Sequence, residues 1–155
     1  MYKVAIITAS DKGYAGERED KSGSVIEEIV TAHELEVTGK VILPDDRQML
    51  SDQMLNYCHQ GIDLILTTGG TGFSKRDVTP EATADIVERR ADNLTFAMIA
   101  NSLQYTPKAM LSRGIAGIRE NTLIVNLPGS PKAVRENLEY AIDAIIHGVK
   151  ILKGD

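Results

Sequence analysis

Four segments of the chain carry apolar patterns that read as buried strands. Val4-Ala5-Ile6-Ile7 is a continuous aliphatic run, as expected where both faces of a sheet are covered, and the others are Val37 to Leu43, Leu64-Ile65-Leu66 and Leu123 to Leu127. Between them apolar residues recur at helical spacing. Ser24 to Glu34 carries Val25, Ile26, Ile29 and Val30, and Arg47 to Gln60 carries Met49, Leu50, Met54, Leu55 and Cys58. Pro80 to Arg89 follows the third strand, and Lys132 to Ile146 carries Val134, Leu138, Ala141, Ile142 and Ile145. Strands alternating with helices of this length predict an α/β fold, a largely parallel sheet with helices on both faces. A length of 155 residues suits one domain over 1–155.

Composition narrows the function. The net charge of −5 lacks the electrostatic footprint of a nucleic-acid binder, and no Trp and two Phe make a base-stacking platform a poor expectation. A small anionic ligand stays open, because backbone dipoles act locally. The single cysteine, Cys58, excludes an internal disulfide and any multi-cysteine zinc site, and fits a reducing cytoplasm. No apolar run reaches the about 18 residues of a membrane span, and a strand-like run at Val4 leaves no room for a signal peptide.

Chemistry is expected where strands end, since ligands of open α/β sheets sit beyond the carboxyl ends of the strands. The strongest segment is Thr67-Thr68-Gly69-Gly70-Thr71-Gly72-Phe73-Ser74-Lys75-Arg76-Asp77-Val78-Thr79-Pro80. Its glycines let amides turn inward around an anion. Thr79-Pro80-Glu81 reads as a helix start, with Thr79 as N-cap and Pro80 first in the helix, again favouring phosphate. Lys75 and Arg76 add positive charge, and Asp77 is placed to hold a divalent cation, or alternatively to support the helix end. The segment is neither a Walker A loop nor a Rossmann fingerprint.

Other strand ends offer less. Pro128-Gly129-Ser130-Pro131 is a second anion-ready helix start, with Ser130 as N-cap, although taken alone simple capping is the better reading. Ser10-Asp11-Lys12 and the polar stretch to Gly23 are long for a connection. Pro44-Asp45-Asp46 either binds Mg²⁺ through carboxylates or caps the helix that follows. Arg113, beside Ser112, is a candidate phosphate fork. His33, His59 and His147 share no metal spacing, and Cys58 falls on the apolar side of its helix.

Together these segments resemble one family. TTGGTGFSKRDVTPEAT at 67–83 is similar to the signature of molybdenum cofactor biosynthesis proteins of the MogA and MoaB type, the fold of the gephyrin G domain. SDKG with GEREDKSG, PDD at 44–46, TPKAMLSRGIAGI at 106–118 and LPGSPKAV at 127–134 extend the resemblance in order along the chain. It implies a three-layer α/β/α sandwich and a cytoplasmic homotrimer. The implied activity is transfer of AMP from MgATP to the terminal phosphate of molybdopterin, with release of pyrophosphate. A molybdate-insertion protein would take the product. The family's two catalytic acids match Asp45 and Asp77, which would also hold Mg²⁺. Substrate contacts implied by the motifs are Ser10, Asp11, Thr68, Gly69, Gly70, Thr71, Gly72, Arg76, Thr79, Pro80, Ser112, Arg113, Pro128, Gly129 and Ser130. A molybdopterin-binding module without activity, or a structural trimer, would share the fold. Where relatives usually carry Glu and Arg after the glycine-loop helix, this chain has Phe96 and Ile99, and it has Lys12 where Arg is usual.

Overall fold

The computed structural model describes all 155 residues. Strands β1 (Lys3–Ala9), β2 (Glu36–Leu43), β3 (Leu64–Thr68), β4 (Arg89–Arg90), β5 (Ala116–Arg119) and β6 (Thr122–Leu127) form one sheet in the order β2-β1-β3-β6-β5-β4. Strands β2, β1, β3 and β6 run parallel, and β5 pairs antiparallel to β6 and β4. β2 is not buried as its apolar residues suggest: it forms the edge of the sheet, only its Leu43 is buried, and Thr38, Gly39 and Lys40 interrupt its apolar run. Helices are α1 (Asp11–Tyr14), α2 (Lys21–Ala32), α3 (Arg47–His59), α4 (Thr79–Ala84), α5 (Asp92–Ser102) and α6 (Pro131–Lys153), with a 3₁₀ turn at Pro107–Leu111.

Two apolar layers flank the sheet. On one side Val4, Ile6, Leu64, Leu66, Leu123 and Val125 meet Ile26 and Ile29 of α2, Met98 of α5 and Leu138, Ile142 and Ile145 of α6. On the other side Ala5, Ile7, Ile65 and Ile124 meet Leu50, Met54 and Cys58 of α3 and Ala82 of α4. Successive strand residues point to opposite faces, so an unbroken aliphatic run fills both layers at once. Cys58 is core, and the three histidines are exposed, as their positions in the sequence predict.

Several boundaries differ from the sequence reading. β3 runs on to Thr68, because β-branched Thr67 and Thr68 suit a strand and find partners there: Asn126 Nδ2 donates to Thr67 Oγ1 and Thr68 donates to the Pro128 carbonyl. α2 begins at Lys21 and not Ser24, because Asp20 caps it by accepting from the Gly23 amide at 2.9 Å. α4 stops at Ala84 and not Arg89; the chain turns there so that Arg89 and Arg90 pair with Ile118 and Gly117. α6 continues to Lys153, ending at Gly154 in the left-handed conformation, φ 77°. The sequence pattern does not reveal α5 or β5.

Candidate active site

The sheet order reverses between β1 and β3, and the loops leaving β1, β2, β3 and β6 surround one cleft of about 970 Å³. Register places their ends level: Ala9 pairs Leu43, Thr8 pairs Thr68, and Thr68 pairs Leu127. This is the crevice at a topological switch point where α/β sheets bind ligands. Ser10, Asp11, Asp45, Thr68, Gly69, Gly70, Arg76, Asp77, Gly129 and Ser130 all line it, together with Lys12.

The glycine loop is built by backbone contact. Gly69 and Gly70 have φ of 89° and 69°, which side chains disfavour. A Cβ on Gly69 would lie 2.4 Å from the Ala9 carbonyl oxygen. One on Gly70 would lie 2.3 Å from Thr79 Oγ1 and 3.1 Å from Asp45 Oδ1. Across the cleft, a Cβ on Gly129 would lie 3.4 Å from the Gly69 Cα, so the two loop backbones run close together. The amides of Gly69, Gly70, Gly129 and Ser130 donate to no group within the chain, which leaves them free for an anion.

Thr79 does not cap α4. It is the first residue of that helix, fully buried, and follows Val78, which makes no capping bond. Its hydroxyl donates to the Gly69 carbonyl at 3.0 Å and its amide to the Gly70 carbonyl at 3.1 Å. The loop's own carbonyls thus satisfy the helix start. Pro80 is buried beside it, and neither residue lines the cleft.

Arg113 is likewise turned away from the cleft. Its guanidinium donates to the Gly72 carbonyl at 2.8 Å, the Asp77 carbonyl at 3.0 Å and Glu81 at 2.6 Å. It clamps the glycine loop from behind, where the sequence suggests a phosphate fork. The Arg113 side chain also holds the Glu81 carboxyl below its ordinary value, chiefly by that hydrogen bond.

Of the paired aspartates, only one takes the capping role that the sequence offered. Asp46 caps α3, accepting from the Met49 amide at 2.9 Å. Asp45 takes no part in capping. Its Oδ2 accepts from the Asp11 amide at 3.1 Å, and its buried Oδ1 has no partner. Burial pushes the Asp45 carboxyl above its ordinary value, with the charges of Asp11 and Asp77 adding to the shift. Asp77 tightens its own loop by accepting from the Ser74 amide at 3.1 Å. Asp11 is held below its ordinary value, first by the hydrogen bond from Arg76. Ser10 and Ser130 cap α1 and α6, accepting from the Gly13 and Ala133 amides.

The polar stretch to Gly23 contributes lining that the sequence reading marks as a loop but not residue by residue. Thr8, Arg18, Asp20, Lys21 and Ser22 also border the cleft. The signal was present, since Asp20 before Lys-Ser-Gly is an N-cap and so places α2 against the cleft. Asp20 is fully engaged, accepting from Thr8 Oγ1 and the Gly23 amide, and Ser22 donates to the Gly129 carbonyl at 2.6 Å.

A second cavity of about 320 Å³ adjoins the first through Ser130, which lines both. Thr71, Gly72, Ser112 and Pro128 lie here, with Thr95, Met98, Ile99 and Ser102 of α5 and Asn137 of α6. Ile99 therefore faces a cavity, whereas Phe96 points outward and is 73% exposed.

Residues 5–147 match the family model described as "Probable molybdopterin binding domain". The chain belongs to this family. It is 38% identical over 155 residues to a molybdopterin adenylyltransferase of Helicobacter pylori, covering 98% of this chain and 88% of that one. It is 41% identical to gephyrin of Dictyostelium discoideum, but spans 22% of that longer protein. The crystal structure of the molybdopterin biosynthesis enzyme MoaB from Thermus thermophilus superposes with a TM-score of 0.95, at 42% identity and 98% coverage of that chain. The three-layer fold of this family is thus that of the MogA and MoaB proteins. No helix is long and apolar enough to cross a membrane.

Proposed function

We propose that this chain is a molybdopterin adenylyltransferase, moving AMP from MgATP to the terminal phosphate of molybdopterin. The observation that carries the reading is the buried, unpartnered Oδ1 of Asp45, set beside the glycine loop in a cleft with free amides. The adjoining cavity mixes apolar Met98 and Ile99 with polar Ser102 and Asn137, which suits a flat heterocycle with donors and acceptors on its edge. Ser130 joins the two spaces, so a phosphate on that heterocycle would reach the cleft.

In the reaction a phosphate oxygen of molybdopterin bonds to the α-phosphorus of ATP. The bond from that phosphorus to the bridging oxygen breaks, and pyrophosphate leaves with the electron pair. The barrier is the approach of two anions, which donors fixed in advance lower most effectively. The free amides of Gly69, Gly70, Gly129 and Ser130 supply such donors, and Arg76 supplies a charge. No group of three or more His, Cys, Asp or Glu side chains gathers into a metal cage. Two carboxylates, Asp45 and Asp77, with substrate phosphates and water suit Mg²⁺, which keeps much of its hydration. Mg²⁺ held there would neutralise charge on the transferring phosphoryl group.

The reading extends to a cytoplasmic homotrimer that passes its product to a molybdate-insertion protein. Phe96 in α5, Leu103 just after it, and Met110 and Leu111 of the 3₁₀ turn that adjoins α5 are exposed apolar side chains that support a subunit contact there.

Incubation with molybdopterin and MgATP, followed by mass spectrometry and pyrophosphate assay, tests the activity. The expected result is adenylylated molybdopterin and stoichiometric pyrophosphate, both lost in Asp45→Ala. Tight pterin binding without product would overturn the enzyme reading in favour of a binding module.

A further inference from the structure

Three loops that leave adjacent strands meet at one carboxylate. Asp11, at the start of α1, accepts from the Asp45 amide through Oδ1 at 3.0 Å, while its own amide donates to Asp45 Oδ2 at 3.1 Å. This reciprocal exchange ties the end of β1 to the end of β2. The same Asp11 carboxylate takes both arms of the Arg76 guanidinium, at 3.0 Å to Oδ2 and 2.9 Å to Oδ1, and so ties in the loop that follows β3.

The two ties differ in strength. Arg76 and Asp11 have side chains 65% and 42% exposed, where solvent screens an ion pair and leaves it easily exchanged. A phosphate dianion entering the cleft offers that guanidinium a stronger bidentate partner. The Asp11–Asp45 exchange pairs the main-chain amide of each residue with the short carboxylate of the other at a partly buried position, so each bond has one end fixed in the backbone. It also sets direction. With Oδ2 of Asp45 occupied by the Asp11 amide, only Oδ1 is left over, and that atom lies against Gly70.

We propose that Asp11 is a positioning residue that aims Asp45 Oδ1 at the metal-bound phosphates, and that it parks Arg76 until a nucleoside triphosphate takes the guanidinium over. Asp11 itself touches neither substrate. The proposal rests on the adenylyl-transfer reading. It assigns Arg76 to the incoming triphosphate, and it explains why an arginine of the cleft is paired within the protein before any substrate arrives. The two functions of Asp11 separate chemically. An asparagine keeps an oxygen for the Asp45 amide but loses the charge that holds Arg76; an alanine loses both and keeps only the main-chain amide to Asp45 Oδ2, which no longer has the reciprocal bond to hold the two loops in register.

The test uses Asp11→Ala, Asp11→Asn and Arg76→Gln in the full chain, each checked for folding by circular dichroism. Binding of Mn²⁺ with α,β-methylene-ATP is followed by electron paramagnetic resonance, and turnover is measured separately. Asp11→Ala is expected to weaken Mn²⁺ binding about tenfold and to lower kcat by about a hundredfold, with Asp11→Asn losing at least about tenfold less in each. Arg76→Gln is expected to raise KM for MgATP about tenfold while kcat falls less than about threefold. Equal damage from Asn and Ala at position 11, or unchanged Mn²⁺ binding in Asp11→Ala, overturns the positioning role. A kcat loss without a KM rise in Arg76→Gln overturns the handover. A wild-type protein that binds Mn²⁺-nucleotide with this pattern of variant effects but forms no adenylylated product contradicts the activity alone.

Discussion

Arg113 Nη1 and Glu81 Oε2 lie 2.6 Å apart across the back of the glycine loop. The same guanidinium holds the carbonyls of Gly72 and Asp77, so one side chain fixes both ends of the segment that carries Arg76. Arg113→Lys keeps the charge but has no fork to span two carbonyls and a carboxylate. It is expected to lower kcat/KM about tenfold or more, while binding of free molybdopterin phosphate analogues changes little. Glu81 adds a pH signature. Its carboxyl is held down by Arg113, so the stability it lends is present above the ordinary glutamate range and is lost as pH falls through its lowered value. Thermal melting of Glu81→Gln should therefore diverge from wild type at neutral pH and converge with it in acid. Convergence at neutral pH would show that the Arg113–Glu81 pair does not stabilise the loop.

Gly69→Ala offers a sharper test of the loop. The added methyl would stand 2.4 Å from the backbone oxygen of Ala9, and φ is 89°. Neither partner is a side chain that can swing away, so β1 and the loop after β3 must part. A loss of about 2–4 kcal/mol in chemical denaturation is expected from strain and displaced ladder contacts. Gly16→Ala serves as the comparison, since it also has positive φ, 79°, but nothing within 4 Å. Its loss should be about 1 kcal/mol, the conformational part alone.

Much of this was readable from residue types. The aliphatic residues of β1, β3 and β6 stand out from the polar segments around them, and the glycines mark the turn at the switch point, whereas β2, broken by Thr38, Gly39 and Lys40, is an edge strand. Cleft residues such as Asp45, Gly69 and Ser130 follow directly, because in this topology strand ends define the site. What was not readable depended on partners distant in sequence. Arg113 looks like a free cation until Gly72 and Glu81 are placed behind it. Thr79 looks like a cap until the loop's own carbonyls take its donors. β4 has only Arg89 and Arg90, too short to show a period, and exists because β5 lies alongside. The Phe96 and Ile99 pair, neighbours on one helix, point to different surroundings that spacing alone did not separate.

At the opposite end of the sheet Lys153 Nζ sits 3.0 Å from Asp63 Oδ1, whose side chain is 7% exposed. Asp63 Oδ2 accepts from the Lys3 amide at 2.8 Å. The last turn of α6 is thereby fastened to the start of β1. Lys153→Met leaves a buried carboxylate with one partner, and is expected to lower stability by about 1–3 kcal/mol with no change in turnover. Asp63→Asn with Lys153→Met should recover part of that loss. A double-mutant cycle in urea gives the coupling, and a value near zero would mean that α6 is held by its apolar face alone.

Asp45 should set stability against activity. Its carboxyl is raised by burial first, so the folded chain binds that proton more tightly than the unfolded chain does. The sign follows from linkage: any stabilisation is present below the ordinary aspartate range, and it is lost as pH rises through the raised value. At neutral pH the ionised group is therefore a burden on the empty protein, with Oδ1 unpartnered beside Asp11 and Asp77. Asp45→Asn removes that charge and keeps an oxygen for the Asp11 amide. Its Tm should exceed wild type at pH 7, and the gap should shrink as pH is lowered below the aspartate range. Adenylyl transfer by the same variant should fall by about a hundredfold or more. Adding Mg²⁺ with a nonhydrolysable triphosphate should raise the wild-type Tm more than that of Asp45→Asn, closing the neutral-pH gap from the other side. A variant that is both less stable and less active at pH 7 would show that the charge at position 45 helps hold the fold and is not kept for the ligand.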